Sequence, residues 1–226
     1  MDGTTAREID VNHPISIAAT IYLSVIGAAV FIVQPGFVQG LVTLLGFDEQ
    51  QAGYVASIEV WGIALTCVFL AMGGHRFGWK GILSFSIILF FVGNILSVLT
   101  SQITIFSLLR FIAGVGAGGL VGLTFTIIGL TRFADRNFGY LIMAVLTYGA
   151  LGLWAMPMLF DSIGLDGVLV LFALFGASGW WCLKWIPNSG QEQLQVEADA
   201  VDLGRVFRIV AVVAMFTYFF AQGVIW

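Results

Sequence analysis

The chain has 226 residues, of which 59% are hydrophobic and only 10% charged, and its formal net charge is −4. Soluble domains carry about 25% charged residues, and nucleic-acid-binding domains present a basic surface. The composition therefore excludes a soluble enzyme and a nucleic-acid-binding protein. The apolar residues lie in runs of about 20, the length at which a helix crosses a bilayer, and these runs predict an integral membrane protein.

Seven apolar segments follow one another along the chain. They are residues 15–41, 51–72, 81–99, 103–130, 138–160, 168–186 and 206–226. Transmembrane β-strands would be about 10 residues long and would alternate in polarity, which these segments do not. The segments therefore predict an all-α fold, a polytopic bundle of transmembrane helices.

The basic residues indicate how this bundle is oriented. Apart from Arg110, which is inside the fourth segment, they flank segment ends that share one side: Arg7, Arg76, Lys80, Arg132, Arg136, Lys184, Arg205 and Arg208. The opposite connections, residues 46–50, 100–102 and 161–167, contain no Lys or Arg. Because cytoplasmic connections carry the excess of positive charge, we expect a protein of the cytoplasmic (inner) membrane with a cytoplasmic N-terminus.

Polar stretches divide the chain into four predicted parts. Residues 1–14 form a cytoplasmic N-terminus, and residues 15–186 form a six-helix bundle. Residues 187–204, PNSGQEQLQVEADAVDLG, form an acidic cytoplasmic linker, and residues 205–226 form a seventh helix. Because the sequence stops on this apolar run, we expect a truncated sequence from which a second half is missing.

Two motifs carry a resemblance to a known family. Residues 71–83 read AMGGHRFGWKGIL, and residues 108–119 read LLRFIAGVGAGG. With six helices followed by a linker, they resemble the N-terminal half of major facilitator superfamily transporters, whose patterns are G-x-L-x-D-R-x-G-R-K-x-x-L and R-x-x-x-G-x-G. The matching residues are Arg76, Gly78, Lys80, Leu83, Arg110, Gly114 and Gly116. Four residues depart from the first of these patterns: Ala71, Gly73, His75 and Trp79.

The resemblance implies a gating role for the connection that carries Arg76, Gly78 and Lys80. In the family, an acidic residue at the position of His75 helps to hold the two halves together on the cytoplasmic side. A histidine would make that contact weaker or pH-dependent. The alternative is that His75 is a solvated loop residue.

Two ionisable side chains lie well inside the apolar segments, Glu59 in the second and Arg110 in the fourth. Charged groups in a bilayer cost roughly 2.5–3.5 kcal/mol on insertion scales and usually face a partner or a cavity. At a rise of 1.5 Å per residue, both lie about 10–12 Å below the outer surface, so they can meet. One interpretation is a structural ion pair.

The other interpretation is a coupled functional pair. Here Arg110 lines the central cavity, as the resemblance implies, and attracts an anionic substrate group. Glu59 is then its counter-charge or a proton carrier.

Other polar and aromatic residues are candidates for substrate binding. They are Tyr22 and Gln34 in the first segment and Tyr148 in the fifth. Pro35 removes a backbone donor and bends the first helix, and such breaks often border a substrate path. For the aromatic residues, ordinary packing is the alternative, and Asn94 in the third segment indicates an interhelical hydrogen bond.

Glycines of the fourth segment predict close helix packing. Gly114, Gly118 and Gly122 follow at four-residue steps, and small residues at that spacing let another helix approach closely. Residues 114–119 also match G-x-G-x-x-G. A dinucleotide-binding motif must follow a β-strand, and these residues follow none, so a dinucleotide site is not indicated.

These features favour a secondary active transporter that moves a small solute by alternating access. Arg110 makes an organic anion the favoured substrate class, and a proton or sodium is the candidate coupling ion. No cofactor or metal is expected, and an intramembrane enzyme is disfavoured because His13 and His75 lie outside the apolar segments. The alternative is a non-transporting membrane subunit, or an inactive fragment that lacks the second half.

Overall fold

The computed structural model describes residues 10–73, 78–188 and Val210. The elements in these ranges are α1 (Pro14–Ile32), α2 (Gln34–Leu45), α3 (Glu49–Gly73), α4 (Trp79–Ser97), α5 (Ile103–Gly129), α6 (Ala134–Ser178) and a 3₁₀ helix (Gly179–Trp185). No strand occurs in the described ranges, which confirms the all-α fold class.

Five helical stretches of the described chain are long and apolar enough to cross a membrane. They are Pro14–Ile32, Glu49–Met72, Trp79–Ser97, Ile103–Gly129 and Ala134–Trp185. The last covers 52 residues, more than twice the roughly 20 that one crossing needs. These lengths confirm the prediction of an integral membrane protein. The predicted seventh helix, apart from Val210, lies outside the described residues, as do His75 and Arg76.

The chain leaves the helical path at Val33, between α1 and α2. Val33 has φ −102° and ψ 15°, and Pro35 lies in the first turn of α2. A proline has no N–H to donate, and its ring clashes with the carbonyl group four residues earlier. The segment predicted as one bent helix, residues 15–41, therefore forms two helices. The second continues to Leu45 and ends where Gly46 adopts a φ of 69°.

A second break lies at Gly164, within α6. Its φ of 68° and ψ of −176° fall in a backbone region that is essentially restricted to glycine. The helix continues through Pro157 before the break and to Ser178 after it. The connection predicted over residues 161–167 is thus reduced to one non-helical residue, and the two helices that it joins correspond to the fifth and sixth predicted segments.

Replacing Gly164 with alanine should lower the free energy of unfolding by about 1–3 kcal/mol, because a Cβ is strained at this φ and ψ. No atom of the described residues lies within 4 Å of the position that a Cβ would take, so the cost is conformational rather than steric. Gly139→Ala, also in open space on α6, should leave stability unchanged or raise it. Titration of the purified variants with SDS measures both, and equal stabilities would contradict the break.

α5 is the central helix, packed against α1, α3 and α4. Its glycines allow a close approach to α3. A Cβ on Gly118 would lie 2.6 Å from the carbonyl oxygen of Ile63, and a Cβ on Gly114 would overlap the carbonyl oxygen of Glu59. Gly122 faces the same helix. This contact between backbones places Glu59 beside the part of α5 that carries the arginine of the second motif.

Candidate functional site

Arg110, on α5, is completely buried and is bound by the neighbouring helix α4. Its Nε donates to Ser97 Oγ at 3.2 Å, and its Nη1 donates to Asn94 Oδ1 at 3.1 Å. Its Nη2 donates to the carbonyl oxygen of Gly93 at 2.9 Å and to Ser97 Oγ at 3.0 Å. A guanidinium has five N–H donors, and these bonds engage most of them. Arg110 is therefore held chiefly by one face of α4.

Glu59, on α3, is the less constrained partner of this arginine. Its Oε1 lies 3.8 Å from Arg110 Nη1, beyond hydrogen-bond distance. Among the described residues, this oxygen has no hydrogen-bond partner, and Glu59 is only 3% exposed. The two residues thus form an ion pair without a hydrogen bond. Neutralising Glu59 would leave the hydrogen bonds of Arg110 to α4 in place.

α2 covers the ion pair. The ring centroid of Phe37, on α2, lies 5.8 Å from the guanidinium carbon of Arg110, and so does that of Phe106 on α5. Such distances are within the range of cation–π attraction. Gln34, the first residue of α2, donates from Nε2 to the carbonyl oxygen of Ala56 on α3 at 3.2 Å. The helix that follows the break in the first segment therefore encloses the charged pair.

This enclosure limits what Arg110 can bind in the observed conformation. One interpretation of the sequence places Arg110 on a central cavity, as the resemblance implies. In the described residues its side chain is 0% exposed, and most of its donors are engaged. An anion could reach the guanidinium only after α2 moves, and it would have to replace acceptors on α4. Glu59 can change its charge without breaking a hydrogen bond from Arg110 to α4, so Glu59 is the less constrained member of the pair.

A second candidate site is a cavity of about 290 Å³. It is lined by Val33, Tyr148, Gly152, Met156, Leu159, Val168, Leu171, Phe172 and Phe175. Residues from before and after Gly164 contribute, so the two parts of α6 face each other across the cavity. Val33, at the break between α1 and α2, adds a further wall.

Two of the predicted tyrosines meet the same phenylalanine, Phe175. Tyr148 stacks on its ring with centroids 5.5 Å apart and planes 11° apart, and Tyr22 meets it edge-on at 5.6 Å. The hydroxyl of Tyr22 also hydrogen-bonds with Ser178 Oγ at 2.7 Å. Both ring arrangements are favoured geometries for aromatic pairs. The three rings form one packed cluster, of which Tyr148 and Phe175 line the cavity.

The sequence-predicted residues thus fall into two groups. One contains Glu59, Arg110 and Gln34, and the other contains Tyr22 and Tyr148. Of the first motif, Gly78 precedes α4 and Lys80 is its second residue.

Several residues of both sites were not predicted from the sequence. Phe37, Phe106 and Phe175 are three of 20 phenylalanines, and nothing in their spacing distinguishes them from lipid-facing or core residues. Ser97 carries a usable signal, because it lies three residues after Asn94 in an otherwise apolar helix, and residues at that spacing share a face.

A bundle of membrane-spanning helices that encloses an ionisable pair is typical of solute transporters. Residues 16–129, a little over half of the chain, match the family described as Sugar (and other) transporter. The chain belongs to this family and, with it, to the major facilitator superfamily, which confirms the resemblance carried by the two motifs. It is therefore an integral membrane protein of a transporter family.

Two relatives have names that agree with this family. An MFS-type transporter of Aspergillus terreus is 33% identical over 119 residues, which are 52% of this chain and 19% of that protein. NiaP of Bacillus subtilis, assigned as a niacin/nicotinamide transporter, is 21% identical over 146 residues, which are 63% of this chain and 36% of that protein. The chain thus spans well under half of the length of these relatives.

Proposed function

We propose that the chain functions in secondary active transport and moves a small solute across the membrane by alternating access. In this mechanism two sets of helices rock around a site near the middle of the bilayer, and an ion or solute gradient supplies the energy. The transporter family and the transporter names of both relatives support the proposal.

Contacts between polar segment ends support an orientation with a cytoplasmic N-terminus in the inner membrane. The backbone N–H of Arg132 donates to Asn12 Oδ1 at 2.7 Å, and that of Trp79 donates to the carbonyl oxygen of Asn188 at 2.9 Å. Each contact joins two segment ends that the charge distribution assigns to the same side. The excess of positive charge makes that side cytoplasmic.

Glu59 is the residue that we propose to carry the coupling proton. The observation that carries this proposal is that Glu59 Oε1 has no hydrogen-bond partner among the described residues, beside an arginine whose hydrogen bonds go to another helix. Protonation would remove the charge attraction between α3 and α5 without breaking any hydrogen bond from Arg110 to α4. A proton fits better than sodium, because the positive charge 3.8 Å away repels a bound cation but not a neutral carboxyl group.

The substrate that we propose is a small solute. An organic anion on Arg110 requires α2 to move and the acceptors on α4 to be replaced, and alternating access is the kind of motion that could supply this change. The name of NiaP points to niacin or nicotinamide, and the family description points to sugars. Nicotinate, nicotinamide and glucose are therefore the substrates to test, one anionic and two neutral.

The alternative is a non-transporting membrane subunit or an inactive fragment. The matched residues cover 19% and 36% of the relatives' lengths, and alternating access needs two opposed sets of helices. In that case transport would require a second set of helices in addition to this chain.

Transport by the purified chain in proteoliposomes tests the proposal. With the interior one pH unit more alkaline, one proton per solute should give about tenfold accumulation of the labelled substrate. Glu59→Gln should abolish accumulation, because an amide does not take up and release a proton, whereas exchange of substrate without a gradient should persist. Glu49→Gln, at the exposed start of the same helix, is the matched control and should behave as wild type.

Two results would contradict the proposal at different levels. Undiminished accumulation in the Glu59→Gln variant would exclude this residue as the proton carrier. If the wild-type chain neither accumulates nor exchanges nicotinate, nicotinamide or glucose, the proposal that the chain alone transports these solutes would be wrong. The alternative function would then be favoured.

A further inference from the structure

The cavity between the two parts of α6 has the composition of a ligand site rather than of an ion path. Its described lining includes three aromatic rings and a methionine, and it contains no Asp, Glu, Lys, Arg or His. A charged ligand would lose its hydration there without a compensating partner, at a cost of several kcal/mol. The cavity therefore fits a neutral molecule, and it shares no lining residue with the buried ion pair.

Tyr148 is the residue with a polar side chain among those that line the cavity. Tyr148 is partly buried, and its hydroxyl makes no hydrogen bond with any residue that the structure describes. A tyrosine in apolar surroundings usually finds a hydrogen-bond partner. The free hydroxyl can therefore donate to an acceptor atom on a bound molecule.

The size and the rings define the shape of the occupant. A cavity of 150 Å³ holds benzene, so a cavity of about 290 Å³ has room for a molecule of two fused rings. Tyr148 and Phe175 already stack almost parallel, with planes 11° apart, which prepares a flat surface for a further ring. A lipid acyl chain would fill the same space, but it offers neither a ring nor an acceptor for the Tyr148 hydroxyl.

We propose that this cavity binds a neutral, planar aromatic molecule of one or two rings that carries one hydrogen-bond acceptor, held by stacking and by the hydroxyl of Tyr148. Binding at this site does not depend on transport, so it can be tested separately from the proposed function.

Quinoline and naphthalene are matched probes for this site. They have nearly the same shape, but only quinoline carries a ring nitrogen that accepts a hydrogen bond. Equilibrium dialysis of each labelled probe against the purified chain, with protein-free micelles as the blank, should show saturable binding with quinoline favoured. Tyr148→Phe should weaken quinoline about fivefold, the size of one hydrogen bond, and leave naphthalene unchanged.

Two tryptophan substitutions on α6 locate the site. Leu171 lines the cavity, whereas Leu174, also exposed and on the same helix, does not. Leu171→Trp should fill the cavity and weaken both probes at least about tenfold, and Leu174→Trp should bind as wild type. SDS titration of both variants shows whether each is folded, and the phenylalanine variant provides a readout that does not depend on filling the cavity.

Three results would overturn the proposal. The first is binding that does not saturate, and the second is equal binding by the Leu171→Trp and Leu174→Trp variants. The third is equal affinity for quinoline and naphthalene in both wild type and the Tyr148→Phe variant. Phospholipid that copurifies with wild type, is lost from the Leu171→Trp variant and blocks both probes would identify an acyl chain as the occupant instead.

Discussion

Arg110→Gln should lower the free energy of unfolding by about 3–5 kcal/mol, the largest effect that we expect from a single substitution in this chain. The change leaves the Glu59 carboxylate without a counter-charge and removes the donors to three residues of α4. Water does not compensate, because the arginine side chain is 0% exposed. SDS titration of the purified variant measures the loss. Arg132→Gln, an exposed arginine, is the control and should stay within about 0.5 kcal/mol of wild type.

A double-mutant cycle distinguishes a coupled pair from two neighbours. Glu59→Gln removes the charge that Arg110 compensates, so the combined variant should be more stable than the sum of the two single effects predicts, by about 0.5–3 kcal/mol. Strictly additive effects would show that Arg110 compensates no charge on Glu59. The coupling would then be absent, and the arginine would serve only to hold α4.

Gly114→Ala should cost about 3 kcal/mol of stability, the upper end of the usual range for overpacking. A Cβ at this position overlaps the carbonyl oxygen of Glu59, and a backbone atom cannot turn aside as a flexible side chain could. α3 and α5 must therefore separate, which also moves Glu59 away from Arg110. The same SDS titration measures the effect.

Gly53→Ala is the matched control for this substitution. Gly53 lies on α3, and no atom is within 4 Å of the position of its Cβ, so alanine there should be neutral or slightly stabilising. If Gly114→Ala were as stable as Gly53→Ala, the close contact between α3 and α5 would be wrong. The placement of Glu59 beside Arg110 would be wrong with it.

Helix lengths and breaks were predictable to different degrees. The apolar runs predicted the described spans well, because hydropathy directly reflects the cost of placing a residue in lipid. Pro35 predicted a bend, since a proline disturbs any helix that contains it. The positive φ of Gly164 was not predictable, because this chain has 28 glycines and most glycines tolerate helical geometry.

The candidate sites show the same division. Glu59 and Arg110 were identified from sequence because charge within an apolar run is rare and costly, and the helical rise gave them equal depth. Their geometry was not predictable: Arg110 bonds to Gly93, Asn94 and Ser97 of α4, whereas Glu59 Oε1 has no hydrogen-bond partner in the part of the chain that the structure describes. Nothing in the spacing of the phenylalanines marks Phe175 as the residue where two tyrosines meet.

The spans and depths of the helices were predictable, whereas their contacts were not, because hydropathy and helical rise are local properties. They establish which residues enter the membrane and how far along each helix they lie, and for this chain they were enough to indicate a bundle of membrane-spanning helices. The rotation of a helix about its own axis depends on the shapes of all its neighbours together. Only packing therefore determined that α2 covers the ion pair, that α4 holds Arg110, and that the two parts of α6 on either side of Gly164 line one cavity.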